Sequence, residues 1–563
     1  MKQGDLVTID IIDAGMEGEG IGRADGMAVF VPGAVVGDRV QVELTMVKKN
    51  FARGQMIVLE EPSPDRQEPF CQYYGECGGC SLQAMTYGAQ LKLKEKWVRD
   101  KLIRIGGVEE PNVLPTIGMD DPMEYRNKAQ FPVNAGYMKK NAEGKYRNTQ
   151  PLRIGFYRPR SHSVVDCDYC AIQAEPANAI AEAVRKYVEE TGVSIYDEKS
   201  GIGLLRHVIV KSGFTTGEVM TIFVVNDDHL PKVERLVELC DDAVNNLGTD
   251  DDWFWALESV VLNINRGKGG EIMGKDCVTI AGKSTILDQI GDLTFEISPM
   301  SFYQVNPVQT VALYDQVKEY AGLTGEETIL DLYCGVGTIG LYCAEGAARI
   351  IGVEVVKQAV IDANRNAVIN GIVNAEYICG KAEEVLAKRL QGVKADVVIL
   401  DPPRSGCDQA LIDSVLKVAP KRIVYVSCDP ATMARDIKIL SEGGYTLEVA
   451  QPVDMFPHTA NIETVALLSQ QKSTERISIE IDLAELDTTK AESKATYAEI
   501  QDYVESTFDL KVSSLYISQI KRKMGLDVGD AYNKPKTEGN RVPICPPEKE
   551  DAIVAALKHF KMI

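Results

Sequence analysis

The chain opens on alternation. Residues 7–11 (Val-Thr-Ile-Asp-Ile) switch between apolar and polar at each step, and the runs 27–31, 39–44 and 55–59 do so more loosely. Period two marks a strand with one buried face. Gly-rich turns such as 18–22 and Pro32-Gly33 separate the runs. Short strands at this spacing predict a small OB-like β-barrel over residues 1–62. Residues 61–65 (Glu-Pro-Ser-Pro-Asp) read as a linker. Residues 63–290 are mixed, with a helical stretch near 82–105 and a strand pattern at 205–210, which predicts an α+β central domain. Over 291–470, apolar runs at 328–333, 349–354, 395–401 and 422–428 alternate with helical patterns. That predicts an α/β domain with a doubly wound, Rossmann-like parallel sheet. Residues 475–563 carry helical patterns at 497–505 and 514–524 and read as a small helical appendage.

Composition narrows the function. The 563 residues carry 61 Lys+Arg against 82 Asp+Glu, a net charge of −21. An indiscriminate nucleic-acid binder would be basic throughout. Charge is uneven, however: residues 92–160 hold 15 Lys/Arg and 8 Asp/Glu, interleaved with Tyr125, Phe131, Tyr146, Phe156 and Tyr157. Basic and aromatic side chains together suit single-stranded RNA, through phosphate pairing and base stacking. The tail is acidic over 471–510 (4 Lys/Arg, 10 Asp/Glu) and basic over 511–563 (10 against 6). No apolar run is long enough to span a membrane, and the start enters a strand pattern with no signal-peptide stretch. A cytoplasmic protein without membrane contact, and a monomer, is expected. Its 13 cysteines then read as thiols or metal ligands rather than disulfides.

Four strand ends carry chemistry. Residues 331–337 (Asp-Leu-Tyr-Cys-Gly-Val-Gly) run from a strand into a Gly-x-Gly turn, where glycine lets backbone approach a ligand. Glu354 ends the next strand pattern, placed to accept hydrogen bonds from ribose hydroxyls. The acidic start and the missing third glycine suit S-adenosylmethionine better than NAD. Residues 401–404 (Asp-Pro-Pro-Arg) end a later strand. Amino-group methyltransferases commonly carry an aromatic residue after Pro-Pro; Arg404 stands there instead, which points to a carbon target. Cys428, in Ser-Cys-Asp-Pro, ends a further strand as a candidate nucleophile. Glu463 precedes a last apolar strand and is the candidate general base, with His458 as a rival.

Cys71, Cys77 and Cys80 cluster within ten residues, followed by Cys170. Four thiolates fit zinc or an iron–sulfur cluster. The x5/x2 spacing is not that of a zinc ribbon and favours [4Fe–4S]. Cys167 competes for the fourth position.

Taken with residues 154–157, 161–165, 203–207, 263–265 and 301–306 and the Phe-Pro-His-Thr segment at 456–459, these motifs resemble the RNA uracil-C5 methyltransferase family. The likeness is to its 23S ribosomal RNA branch, which has an N-terminal TRAM domain and an iron–sulfur cluster. It covers residues 1 to about 469. It implies Cys428 as nucleophile and Glu463 as base, and contacts from Gln304, Tyr333, Glu354 and Asp401 to S-adenosylmethionine. It also implies a [4Fe–4S] cluster on Cys71, Cys77, Cys80 and Cys170. The stretch 82–116 would pack on the catalytic domain. The substrate would be a flipped-out or single-stranded uridine, with ribosomal RNA favoured over transfer RNA. Asn461 departs from the pattern, standing where many relatives carry His. A radical-SAM or methylthiolating enzyme and a non-catalytic assembly factor are the competing classes. The doubly wound sheet speaks against the first, and the full set Cys428, Glu463, Asp401 and Glu354 against the second.

Overall fold

The computed structural model describes residues 1–141, 143–248, 255–471, 496–508, 510–524, 526, 545–560 and 562–563. They form two units, Met1–Lys472 and Ser473–Ile563.

The first unit begins with a closed five-stranded barrel, in the order Leu6–Ala14, Gly20–Ala24, Met27–Val31, Phe51–Glu61, Arg39–Val47. The alternation places Ile9, Ile11, Val40 and Val42 inside. The expected linker after it is instead pinned. The Asp38 carboxylate is buried and accepts from the amides of Val35 (2.6 Å) and Ser63 (2.9 Å) and from Arg66. Against the cost of burial, Arg66 and those amides hold the Asp38 carboxyl below the usual range.

A seven-stranded sheet follows, ordered Val164–Asp166, Arg153–Tyr157, Lys128–Asn134, Leu205–Ser212, Glu218–Val225, Ala256–Ile264, Asp276–Gly282. Its strands Leu205–Ser212 and Glu218–Val225 are almost wholly buried. The helices Glu175–Thr191 and Val233–Asn245 contribute Ile180, Val184 and Leu236 to a core with it. Ile209, Met220, Ile222 and Val224 join the core of the next sheet. A strand buried on both sides loses its alternation, which is why this region gives a mixed pattern.

The third layer is a seven-stranded sheet ordered Ala375–Cys379, Arg349–Glu354, Thr328–Leu332, Val397–Leu400, Arg422–Ser427, Glu463–Gln470, Tyr445–Val453. Its first five strands are parallel; the Glu463–Gln470 strand is antiparallel to both neighbours. Counted along the chain the order is 3-2-1-4-5-7-6. The helix Tyr87–Arg104, early in sequence, packs on this layer. Its Lys94 pairs with Asp454 at 2.6 Å, both side chains fully buried, and also donates to the Phe456 carbonyl oxygen (3.0 Å). Removing one partner from such a pair leaves a bare buried charge, at a cost of about 3–5 kcal/mol. Trp97 of the same helix donates to the Ala14 carbonyl oxygen of the barrel (2.9 Å).

In the second unit the helices Tyr497–Phe508, Ser514–Lys523 and Pro547–His559 share a core of Ile500, Val504, Ile517, Ile553 and Leu557. Much of the acidic stretch read over 471–510, and part of the basic one after it, lies outside the described residues. Among the described residues no helix is long and apolar enough to cross a membrane.

Candidate active site

Ligands of doubly wound sheets bind beyond the carboxyl ends of the strands, and the candidate residues converge there. Tyr333 leaves its strand at φ 65°, a left-handed conformation unusual for a bulky residue. The amides of Tyr333 and Cys334 both donate to the Val353 carbonyl oxygen (3.0 and 3.2 Å). Gly337 turns at φ 82°, and a Cβ there would lie 2.6 Å from the Tyr377 hydroxyl, so only glycine fits. The Glu354 carboxylate accepts from the Gly335 amide (3.2 Å) and the Val356 amide (2.8 Å). A carboxylate has about four acceptor sites, so it retains capacity for a ribose.

Asp331 entered the sequence reading only as the acidic start of the glycine motif, with no contact assigned to it. It accepts from the Gly340 amide (3.0 Å), tying the strand to the helix beyond the turn, while its other oxygen is buried without a partner. Burial, then the nearby Asp401 carboxylate, push its carboxyl up to about 7. A carboxylate inside the apolar run Ile329-Leu330-Asp331-Leu332 is the signal that marks it. Tyr377, half-buried, with a buried hydroxyl against the turn that has no partner among the described residues, left no such signal.

Strand register assembles the second cluster. The antiparallel ladder pairs Ser427 with Thr464, so the next step along sets Cys428 against Glu463. Ser427 braces the turn: its hydroxyl donates to the Asp429 carbonyl oxygen (3.0 Å) and accepts from the Asp429 amide (3.1 Å). Asp429 then caps the helix Pro430–Glu442, accepting from the amides of Ala431 (2.8 Å) and Thr432 (3.0 Å). Burial, then the Glu463 carboxylate, push the Cys428 thiol up to about 11, while Arg404 opposes both by charge and hydrogen bond. Glu463 is buried, and burial and Asp401 raise its carboxyl well above the ordinary value. Burial alone lifts Asp401 to about 7.

Two further candidates separate. Gln304 is buried on the loop before the helix Pro307–Ala321, its carbonyl oxygen fixed by Asn127 (2.9 Å). His458 is not at the mouth. Its ring is enclosed by Phe70 and Tyr87 and by the Gln90 side chain (3.3 Å), and burial, then Lys94, push it down to about 4. It sits at φ 66°, and its carbonyl oxygen accepts from the amides of Ser81 and Leu82, both at 3.0 Å. That geometry makes it a knot between the cysteine loop, the Tyr87–Arg104 helix and the segment leading to Glu463.

Cys71, Cys77, Cys80 and Cys170 all line one cavity of about 200 Å³, with Tyr73, Tyr74 and Phe156. Cys167 is buried outside it, its thiol 3.6 Å from the Val165 carbonyl oxygen. Burial raises Cys80 to about 12 and Cys170 to about 11, with neighbouring cysteines adding to the shift. Among the described residues no three of these sulfurs lie within 4.8 Å of one another.

The sheet order, the glycine turn and the acidic strand end define an S-adenosylmethionine-dependent methyltransferase. Comparison with known proteins narrows this. A family model described as tRNA (Uracil-5-)-methyltransferase matches residues 264–471, and one for the TRAM domain matches residues 1–57. The chain is 46% identical over 471 residues to an uncharacterized RNA methyltransferase of Caldanaerobacter subterraneus subsp. tengcongensis, covering 84% of this chain and 99% of that protein. An uncharacterized RNA methyltransferase of Halalkalibacterium halodurans is 43% identical over 469 residues, covering 83% and 98%. The crystal structure of Pyrococcus abyssi tRNA (uracil-54, C5)-methyltransferase in complex with S-adenosyl-L-homocysteine superposes with a TM-score of 0.63 at 30% identity, covering 82% of this chain and all of that one. The chain belongs to the RNA uracil-C5 methyltransferase family and carries a TRAM domain at its N-terminus.

Proposed function

We propose that this enzyme methylates carbon 5 of a uridine in 23S ribosomal RNA through a covalent bond between Cys428 and carbon 6. The observation that carries this is the strand register that sets Cys428 against Glu463 beside Asp401 and Arg404. Carbon 5 of uracil is a poor nucleophile, and covalent catalysis divides the difficulty. The Cys428 thiol loses its proton to solvent and the thiolate bonds to C6; the C5=C6 electrons move toward C5 and O4. Arg404 is placed to stabilise that negative charge. S-adenosylmethionine, when bound, supplies an electrophilic methyl group; Gln304, Tyr333, Glu354 and Asp401 are the residues that would hold it. C5 would take the methyl as its bond to the sulfonium breaks and S-adenosylhomocysteine leaves, and Glu463 takes the proton that C5 still carries. The C5=C6 bond re-forms as the C6–S bond breaks, which returns the thiolate; a proton from solvent then restores the thiol. A buried carboxylate of raised pKa is the stronger base for that proton.

The thiol cavity fits a polynuclear cluster. One tetrahedral zinc with bonds near 2.3 Å gathers its sulfurs to about 3.8 Å, whereas these thiols are spread around the cavity wall. Cys71, Cys77, Cys80 and Cys170 would hold a [4Fe–4S] cluster. Methyl transfer to an enolate is redox-neutral, so the cluster's role is structural: its loop continues into Ser81 and Leu82, which grip His458.

The N-terminal TRAM domain supports ribosomal RNA as substrate. The likeness to a transfer RNA enzyme favours the second reading, a tRNA uridine. Mapping 5-methyluridine in both RNA classes, from a strain lacking this chain and the same strain complemented, decides between them. Loss of the mark from 23S RNA alone is the expected result; loss from tRNA alone overturns the ribosomal assignment.

A further inference from the structure

Arg206 Nε and both ring nitrogens of His207 are buried with no hydrogen-bond partner among the described residues. Buried polar atoms are nearly always paired, so three orphans on consecutive residues point to a missing ligand. Neighbours in a regular strand face opposite sides. Here a β-bulge between Leu205 and His207 breaks the alternation, and both side chains, 5% and 8% exposed, line one cavity of about 280 Å³. Bulges often re-aim side chains at functional sites.

The same cavity is lined by the aromatic side chains Tyr157, His162 and Tyr196. The Tyr157 and His162 rings lie 5.4 Å apart. The Arg206 guanidinium sits 4.1 Å from the centre of the Tyr196 ring. It donates to the carbonyl oxygens of Asn265 (2.7 Å) and Gly267 (2.8 Å) and, among the described residues, meets no carboxylate. Burial, then Arg206, push His207 down to about 4, so its neutral ring offers one donor and one acceptor.

We propose that this cavity takes a nucleobase: an unpaired base of the RNA substrate, stacked on its aromatic walls and read at its edge by Arg206 and His207. The inference rests on RNA being the substrate. The volume lies just under the ~300 Å³ floor of ordinary ligand sites, which suits one base. Asp197, Glu198 and Lys199 also line it; with Arg206 the lining carries two charges of each sign, which favours an uncharged base over a phosphate. The strand ending at Tyr157 runs on to Pro159 and Arg160. Those two residues line a groove of about 890 Å³ shared by the barrel, the cysteine loop and residues 459–461. A strand of RNA leaving the catalytic segment along that groove passes the cavity.

The test uses the full chain and its Tyr157→Leu and His162→Ala variants. Their affinity is measured by fluorescence anisotropy for single-stranded RNA dodecamers with a central uridine, intact or with one abasic position walked along the strand. Turnover at saturating RNA is measured in parallel. The expected result is binding about tenfold weaker in each variant, an unchanged kcat, and one flanking position whose abasic penalty vanishes in the variants. Folded variants that bind intact RNA as the parent does, or that keep the full abasic penalty at every position, overturn the proposal. Because binding is read without methyl transfer, failure of the uridine-C5 reading leaves the test intact. Arg206→Lys, checked by circular dichroism for folding, is expected to weaken binding in the same way.

Discussion

Two neighbourhoods of this molecule use the same side chain for opposite ends. Cys428 stands alone at a strand end, facing Glu463 and Asp401, with Arg404 as the cation that opposes them. Cys71, Cys77, Cys80 and Cys170 face one another across a cavity walled by tyrosines and Phe156, with Arg126 as the lining cation. Burial lifts the thiol in both places, Cys428 to about 11 and Cys170 to about 11. The pKa alone therefore does not separate nucleophile from ligand. What separates them is company: a lone thiol beside a carboxyl and a guanidinium can be spent on a substrate, whereas four thiols around a void can share a cation.

The sharpest way to break the contrast is to delete one thiol and read both functions. Cys428→Ala is expected to lower methyl transfer by several orders of magnitude while iron content stays at the parental level. Methyl incorporation from labelled cofactor and iron assay of anaerobically purified protein check this. Substantial activity in the variant ends the nucleophile assignment. Glu463→Gln comes next. Loss of a positioned base costs about 10²–10⁴-fold, and the block should fall after methylation. A slow-migrating protein–RNA species on a denaturing gel, carrying methylated base, is expected; its absence argues against Glu463 as the proton acceptor.

Arg404 sharpens the contrast through pH. It holds the thiol down against burial and Glu463, so Arg404→Gln moves the thiol further above 11 and shrinks the thiolate fraction at neutral pH. Raising the thiol's pKa by about one lowers kcat/KM at pH 7 about tenfold. The profile of kcat/KM against pH rises toward the thiol's pKa in the parent; in the variant that rise moves to higher pH. A profile of reduced height but unmoved position assigns Arg404 to charge stabilisation on the substrate instead.

Much of this was legible in the chain, with an instructive overshoot. The apolar runs 328–333, 395–401 and 422–428 each outlast the strand they form, which end at Leu332, Leu400 and Ser427. The surplus includes Tyr333, Asp401 and Cys428, the residues expected to do chemistry. A strand end that faces a ligand is sheltered like the strand itself, so hydrophobicity continues while the hydrogen-bond ladder stops. His458, a rival base in the sequence though a lone histidine is more often structural, was hard to place for the opposite reason. Beside Phe-Pro and a catalytic strand it reads as a base, yet its partners Gln90, Phe70 and Ser81 come from distant sequence. No local pattern encodes such a contact. The paired aspartate of Lys94 was hidden in the same way, 360 residues away.

The smallest expected effect tests the cavity itself. Cys170 lines it and Cys167 does not, although only two residues lie between them and the Cys167 thiol hydrogen-bonds that of Cys77, a cavity residue. Cys167 is packed against Gly155, where even a Cβ would come within 3.0 Å of its sulfur, and it turns its thiol to the Val165 carbonyl oxygen. Cys170→Ala is therefore expected to abolish iron and sulfide binding, yet to leave turnover at saturating RNA within a few-fold, because no electron is needed for the reaction. Its cost should appear as a lower Tm and faster hydrogen exchange over residues 454–463, the segment gripped at His458. Cys167→Ala should keep its iron and its Tm. Iron retained by the first variant and lost by the second exchanges the two cysteines. A colourless protein holding stoichiometric zinc replaces the cluster with a single ion, and the spread of the four sulfurs would then have to close on metal binding.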